Sequence, residues 1–268
     1  MLVVKIGGAS GVNTDTIVSD IATQIESGEQ LIVVHGGSKL ATELGEQLGY
    51  PPRFVTSASG HISRYTDQRT LEIFIMATSL LNRQLVGQLQ TLGVNAVGLS
   101  GLDGGLLLAE RKSTIRIVDN GKCKILRDDY TGRIETVNLQ PIRALQDTGH
   151  IPVVAPVAIS ASGEALNVDA DRAAAHLAGA IGADQLIILS NVPGLLRDLE
   201  DPNSYIPSVS EQDLDNAINN IAHGRMKRKL IAAREALNAG VKQVIIASGK
   251  TEQPITEALQ GKGTLING

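Results

Sequence analysis

The chain has 268 residues and is 43% hydrophobic, yet it contains no Trp and only six aromatic residues, so its core must be built from Leu, Ile, Val and Ala. That length allows one large α/β domain or two lobes. A net charge of −4 gives no reason to expect nucleic acid, the single Cys123 excludes an internal disulfide framework and suits a reducing cytoplasm, and no apolar run reaches membrane-spanning length.

Short β-branched runs alternate with longer amphipathic segments. Residues 2–4 predict a strand ending on Lys5-Ile6-Gly7-Gly8, followed by a helix over 15–27 stopped by Gly28. Residues 31–34 predict a second strand ending on His35-Gly36-Gly37-Ser38, followed by a helix over 40–48. A long helix over 67–92, continuous or kinked at Gly87, precedes a strand at 95–97. Strands at 151–154, 186–189 and 244–246 then frame helices over 171–180 and 227–237. Apolar runs without alternation mark strands covered on both faces, hence a mainly parallel sheet between helical layers.

One stretch departs from that pattern. Residues 114–118 and 122–126 alternate in polarity around Asn120-Gly121, which predicts a β-hairpin. Between 111 and 127 six bases (Arg111, Lys112, Arg116, Lys122, Lys124, Arg127) face one acid, Asp119. Two readings stand: an edge hairpin whose charges discourage aggregation, or a docking surface for an acidic partner.

Both glycine turns can bring backbone N–H groups close to an anion at the start of a helix. Arg64, in Ser63-Arg64-Tyr65-Thr66-Asp67, stands just before a helix that Thr66 or Asp67 can cap, and can fork to a carboxylate. Polar corners follow at Asn167-Val168-Asp169-Ala170-Asp171 and at Asn191-Val192-Pro193-Gly194-Leu195. Bases crowd a predicted helix start at Arg225, Lys227, Arg228 and Lys229, where the helix dipole disfavours them, which asks for a strong anion nearby. Ser248-Gly249-Lys250-Thr251 mimics the end of a P-loop, but Val244 stands where that loop needs its first glycine. The five histidines form no metal-binding pair.

In this order and spacing the motifs resemble the amino acid kinase family, in its acetylglutamate-kinase branch, over essentially the whole chain. The wording at 53–57, 63–67, 98–104, 190–196 and 224–229 is similar to the subgroup that acts on 2-aminoadipate or glutamate carried on LysW, a small acidic amino-group carrier protein. The resemblance implies a three-layer αβα sandwich with a mainly parallel central sheet, two lobes and a β-hairpin insertion. Residues 1–175 would bind the phosphoryl acceptor and mediate homodimerisation through the helix near 67–80, and residues 176–268 would bind ATP.

By the same resemblance a side-chain carboxylate attacks the γ-phosphoryl group of ATP, giving an acyl phosphate and ADP; N-acetylglutamate as a free acceptor is the alternative, and a non-catalytic sensor a more distant one. A carboxylate is already ionised at neutral pH, so no general base is required. Lys5 and Lys229 would stabilise the transferring group, with Asp171 orienting both. Gly7 and Gly8 would approach the phosphoryl group, Gly36 and Gly37 the substrate, and Arg64 and Asn167 would hold the substrate's α-carboxylate and acylated nitrogen. Asn191, Gly194, Leu195 and Lys229 would line the nucleotide, with Mg²⁺ carried on the ATP phosphates and no dedicated protein metal site. The basic hairpin would meet the carrier.

Overall fold

A computed structural model describes residues 1–8, 12–57, 62–112, 114–119, 122–198, 200–201 and 204–267. Its first half contains β1 (Leu2–Ile6), α1 (Thr14–Glu26), β2 (Leu31–His35), α2 (Ser38–Gln47), β3 (Phe54–Thr56), β4 (Ile62–Arg64), α3 (Gln68–Thr91) and β5 (Ala96–Ser100). There follow β6 (Leu107–Arg111), β7 (Thr114–Asp119), β8 (Lys122–Arg127), β9 (Gly132–Val137), α4 (Gln140–Asp147), β10 (Ile151–Ala155), β11 (Val157–Ile159) and β12 (Ala165–Asn167). The last third holds α5 (Ala170–Ile181), β13 (Gln185–Ser190), β14 (Leu195–Leu196), β15 (Tyr205–Ile206), β16 (Ser208–Ser210), α6 (Glu211–Asn216), α7 (Gly224–Asn238), β17 (Gln243–Ser248), α8 (Pro254–Leu259) and β18 (Thr264–Asn267).

Eight strands form one sheet in the order β16-β18-β17-β13-β1-β2-β10-β5. Every pairing from β17 through to β5 is parallel, and only the β17–β18 pair is antiparallel. Alternation along each central strand sorts its side chains between two cores. Val3, Ile32, Val34, Leu186 and Ile188 join residues of α4, α5 and α7 on one face. Leu2, Val4, Ile6, Leu31, Val33, Ile187 and Leu189 join residues of α1, α3 and α8 on the other. The result is three layers, αβα, as the unalternating apolar runs predict.

The same parity decides where chemistry can sit. Lys5 shares the α5 and α7 face with Val3, whereas His35 shares the α3 face with Val33. A second sheet (β12-β11-β6-β9) and three two-stranded ribbons, β3–β4, β7–β8 and β14–β15, surround the ends of the main strands. The predicted hairpin is the β7–β8 ribbon; its Asn120-Gly121 turn lies outside the described residues. The suggested lobe boundary near 175 falls within α5, which runs unbroken across it.

Two helices begin two or three residues earlier than the pattern predicts. α2 starts at Ser38 directly on the glycine turn, with Gly37 as N-cap and no side chain capping it, so no Ser, Thr, Asp or Asn marks the position. α7 starts at Gly224, whose φ of +53 turns the chain, ahead of a basic first turn that ordinary helix-start signals do not contain. α3 is one continuous helix through Gly87; an interior glycine costs only about 1 kcal/mol, and Leu85 and Leu89 anchor both sides of it in the core.

Candidate active site

Three charged side chains meet above the C-terminal end of β1. Lys5 Nζ lies 2.7 Å from Asp171 Oδ1, and Lys229 Nζ lies 3.0 Å from Oδ2 and 3.2 Å from Oδ1. All three residues are buried. Asp171 occupies the first turn of α5, which Asp169 caps by accepting from the N–H groups of Asp171 (3.0 Å) and Arg172 (3.1 Å). Lys229 comes from α7, which packs on α5 through small residues and through a two-bond Arg172–Glu235 pair at 2.9 and 2.6 Å. A Cβ added at Gly179 would meet Ala239, so the two helices approach closely.

Burial alone would raise the Asp171 carboxyl, but Lys229 and Lys5 hold it below the usual carboxylate range. Burial lowers Lys229, and Asp171 opposes that. The cluster therefore carries two ammonium groups on one carboxylate, an excess positive charge suited to an incoming anion. The crowded bases at the start of α7 find part of their anion here: Lys229 on Asp171, and Arg228 Nη1 3.9 Å from Asp169 Oδ2.

The glycine turns lock together beside this cluster. A Cβ on Gly8 would lie 2.6 Å from Gly37 N, one on Gly36 would lie 2.8 Å from Gly8 N, and one on Gly7 would lie 2.8 Å from Leu189 O. Gly8 O accepts from Lys39 N at 3.1 Å, tying the first turn to the start of α2. These glycines allow two backbone segments to touch, and no side chain fits between them.

The acceptor residues form a second group. Arg64 is buried, and its Nη2 donates to Ser38 O (3.0 Å), Ser38 Oγ (3.3 Å) and Thr42 Oγ1 (2.9 Å) on α2. Among the described residues it has no carboxylate partner. Asn167 Nδ2 donates to Thr66 Oγ1 at 3.0 Å, and Thr66 Oγ1 bonds back to Arg64 O at 3.3 Å, so Thr66 links the two. Sequence reasoning missed the residue that holds Thr66. Fully buried Asp129 accepts from Thr66 N at 3.0 Å, from Thr131 N at 3.3 Å and from the Thr131 hydroxyl. In the sequence Asp129 only flanks the basic stretch at 111–127, and nothing there marks it as buried.

Asn191, Gly194, Leu195 and Lys229 line one cavity together with Arg225 and Met226. Gly194 is tightly placed, because a Cβ there would meet Thr264 Oγ1 at 2.5 Å and Tyr205 Cε2 at 2.7 Å. Leu195 N donates to the same Thr264 Oγ1 at 2.8 Å. The P-loop mimic at 248–251 contributes none of this lining.

The basic stretch divides by strand register. Arg116 pairs with Ile125 and Thr114 with Arg127, so Arg116, Val118, Ile125 and Arg127 share one face of the β7–β8 ribbon. Lys124 lies opposite buried Ile117 on the other face, and the side chain of Lys122 lies outside the described residues. Arg111 is a structural residue of β6: Nη1 pairs with Glu164 at 2.6 Å and its guanidinium covers the Tyr130 ring at 3.6 Å. Lys112 follows it on the exposed surface. A bridge from Ser57 to Ile117 joins β3–β4 to this ribbon. Alternation then puts Phe54, Ile62 and Arg64 on the face of Arg116 and Ile125. Four of the six aromatic residues gather around this rim, each under an arginine: Tyr50 with Arg69, Phe54 with Arg64, Tyr65 with Arg53 and Tyr130 with Arg111.

Residues 1–248 match the family model described as the amino acid kinase family. A LysW-aminoadipate kinase of Deinococcus radiodurans is 48% identical over 268 residues, covering 100% of this chain and 91% of that protein. A LysW-aminoadipate/LysW-glutamate kinase of Saccharolobus solfataricus is 41% identical, covering 99% of each. In fold, the carbamate kinase of Giardia superposes with a TM-score of 0.71 over 99% of this chain and 98% of its own, at 18% identity. No helix among the described residues is long and apolar enough to cross a membrane.

Proposed function

The chain belongs to the amino acid kinase family, and from that premise we propose that it transfers the γ-phosphoryl group of ATP to the side-chain carboxylate of 2-aminoadipate, or of glutamate, held through its amino group on the carrier LysW. One carboxylate oxygen forms a bond to the γ-phosphorus as the bond to the β,γ-bridging oxygen breaks; the products are an acyl phosphate and ADP. The observation that carries this reading is the Lys5–Asp171–Lys229 cluster beside two interlocked glycine turns.

Two anions must meet in line, and charge on the moving phosphoryl group must be stabilised. Lys5 and Lys229 supply that charge from β1 and α7, while Asp171 fixes their directions. Backbone N–H groups of Gly7, Gly8 and Gly37 line the meeting point, while the Gly36 N–H is spent on Ile6 O at 3.0 Å and Gly36 serves by letting the two turns touch. Arg64 offers the part of its guanidinium not spent on α2 to the substrate's α-carboxylate, and Asn167 faces the linked nitrogen. ATP brings Mg²⁺ on its phosphates, which spreads the phosphate charge. Both Asp171 oxygens are engaged by lysines, so that carboxylate is spent on orientation. The cavity at Asn191, Gly194 and Leu195 takes the nucleotide; its lining lies wholly beyond residue 176, which supports the reading of ATP on residues 176–268 and the acceptor on residues 1–175.

The carrier docks on the rim. Exposed Arg116 and Arg127 alternate with exposed Ile125 and Val118, next to Phe54 and Ile62, on a face continuous with Arg64. Arginines and aromatics over an apolar centre suit a protein partner, and the cations suit an acidic one. A homodimer through α3 is supported by Met76 and Leu80, four residues apart on one helical face and about half exposed at 48% and 49%.

Trapping the acyl phosphate with hydroxylamine tests the substrate. LysW-aminoadipate, LysW-glutamate and free N-acetylglutamate are each offered with ATP, and the carrier-linked acceptors are expected to give product at the lowest concentrations. Preference for free N-acetylglutamate would sink the carrier reading.

A further inference from the structure

His35 closes β2, is fully buried, and has no part in the chemistry above. It projects from the α3 face of the sheet, opposite to Lys5. Its Nδ1 lies 2.7 Å from Gly36 O, and its Nε2 lies 3.1 Å from Asn82 Nδ2. A carbonyl oxygen only accepts and an amide nitrogen only donates, so both contacts are satisfied by a neutral ring protonated at Nδ1. Burial, with Lys5 adding to it against the Gly36 bond, lowers the imidazole to about 4, which agrees with a neutral ring.

The amide of Asn82 is fixed in turn. Its Nδ2 also donates to Val153 O at 2.9 Å, and the reversed orientation would set Oδ1 against that carbonyl. Asn82 Oδ1 rests on Gly98, where a Cβ would collide with it, and has no hydrogen-bond partner. A buried acceptor without a partner is costly, so the donor end of this amide is where the site needs it.

The contact on Gly36 reaches the active site through one peptide plane. The chain has no cis peptide among its described residues, so the C=O of Gly36 and the N–H of Gly37 point in opposite directions. Holding the carbonyl toward His35 aims the Gly37 N–H away from the α3 face. Gly37 N also borders Gly8, as the 2.6 Å approach of a Cβ there shows.

We propose that His35 is a positioning residue: its Nδ1–H, steadied through Nε2 by Asn82, pins the Gly36 carbonyl and so aims the Gly37 N–H at the anion held between the glycine turns. The inference rests on the phosphoryl-transfer reading, but not on the identity of the carrier.

Three variants separate the two ring contacts. In His35→Asn the side-chain amide can replace Nδ1–H and keep the bond to Gly36. In His35→Gln the longer amide can replace Nε2 and keep only Asn82, and His35→Leu keeps neither. With an intact fold checked by melting temperature, kcat is expected to stay within about threefold in His35→Asn and to fall about 10- to 100-fold in the other two, with KM for ATP unchanged. Equal losses in His35→Asn and His35→Gln, or full kcat in His35→Gln, overturn the proposal. On the unmodified protein, ¹⁵N-histidine spectra at pH 7 should show a neutral His35 ring protonated at Nδ1; protonation at Nε2, or a charged ring, overturns it whatever the variants do. A wild-type chain that phosphorylates none of the three acceptors removes the inference together with the function, whereas an active His35→Gln beside an active wild type removes the inference alone.

Discussion

Lys5, Asp171 and Lys229 are 5–8% exposed at the end of an eight-stranded sheet, whereas Phe54, Ile62, Val118 and Ile125, on ribbons outside that sheet, are 41–59% exposed. In the centre two lysines share one carboxylate of the same chain, and glycines bring the backbones into contact. At the rim, exposed cations and apolar side chains share a face with no covering element from this chain among the described residues. The difference suggests a division of labour. Transfer of a phosphoryl group needs preorganised charge that does not move, and that requires the rigid sheet and two packed helices. Recognition of a macromolecular acceptor needs area and charge on the outside, which short ribbons supply without disturbing the centre.

If the centre is one preorganised unit, removing its carboxylate should do the most damage. Asp171→Asn leaves two buried ammonium groups facing each other, and unpairing a buried ion typically costs about 3–5 kcal/mol. Loss of lysine orientation should also reduce kcat by about 10²–10³-fold. Urea unfolding and steady-state kinetics measure the two effects. A variant that kept wild-type kcat would separate Asp171 from the chemistry and break the contrast.

Acid should weaken the centre before the rim. His35 titrates near 6.5 when unfolded but is held down to about 4 when folded. Its contribution is therefore fully present above pH 6.5 and is lost as pH falls toward 4, because the unfolded chain takes up a proton that the native ring refuses. A gap of that size corresponds to about 3 kcal/mol. Unfolding free energy followed from pH 7 to 4 should show this loss in the wild type and a shallower one in His35→Asn.

The centre was far more legible in the sequence than the rim, for a physical reason. Lys5, Gly8 and Gly36 lie at the ends of short apolar strands, so adjacent parallel strands bring them together with little further information. Asp171 and Lys229 are 58 residues apart, and their meeting depends on how α5 packs on α7; the residues themselves do not show that contact, and only the family resemblance implies it. Strand register, which composition cannot show, put Arg116 and Arg127 on one face of the ribbon and Lys124 on the other, and Arg111 is drawn into an internal pair with Glu164. Asp129 and Asn82 were illegible as well, because an isolated buried polar residue looks like any other until its partners are known.

Charge at the rim should alter encounter and leave the chemistry alone. Reversing Arg116 and Arg127 together to Glu should raise KM for the carrier-linked substrate about tenfold at low salt, with kcat and KM for ATP unchanged. Added salt should raise the wild-type KM toward the variant's, because exposed charges are screened within about 10 Å at 0.1 M. A fall in kcat instead would mean that the rim and the centre are coupled.

Ile125 gives the finest test, because it separates apolar area from charge on the same face. It is 58% exposed and lies directly across from Arg116, so Ile125→Ser removes contact area while leaving both arginines in place. A surface change of this kind should shift folding stability by no more than about 0.5 kcal/mol. If the carrier seats on the ribbon face, KM for the linked substrate should still rise a few-fold, because an apolar contact at the middle of an interface contributes even where the free protein does not need it. Unlike the effect of charge reversal, this loss should survive high salt. A KM unchanged at every salt concentration would reduce the rim to a guide for charged encounter, with the carrier held only at Arg64 and Asn167.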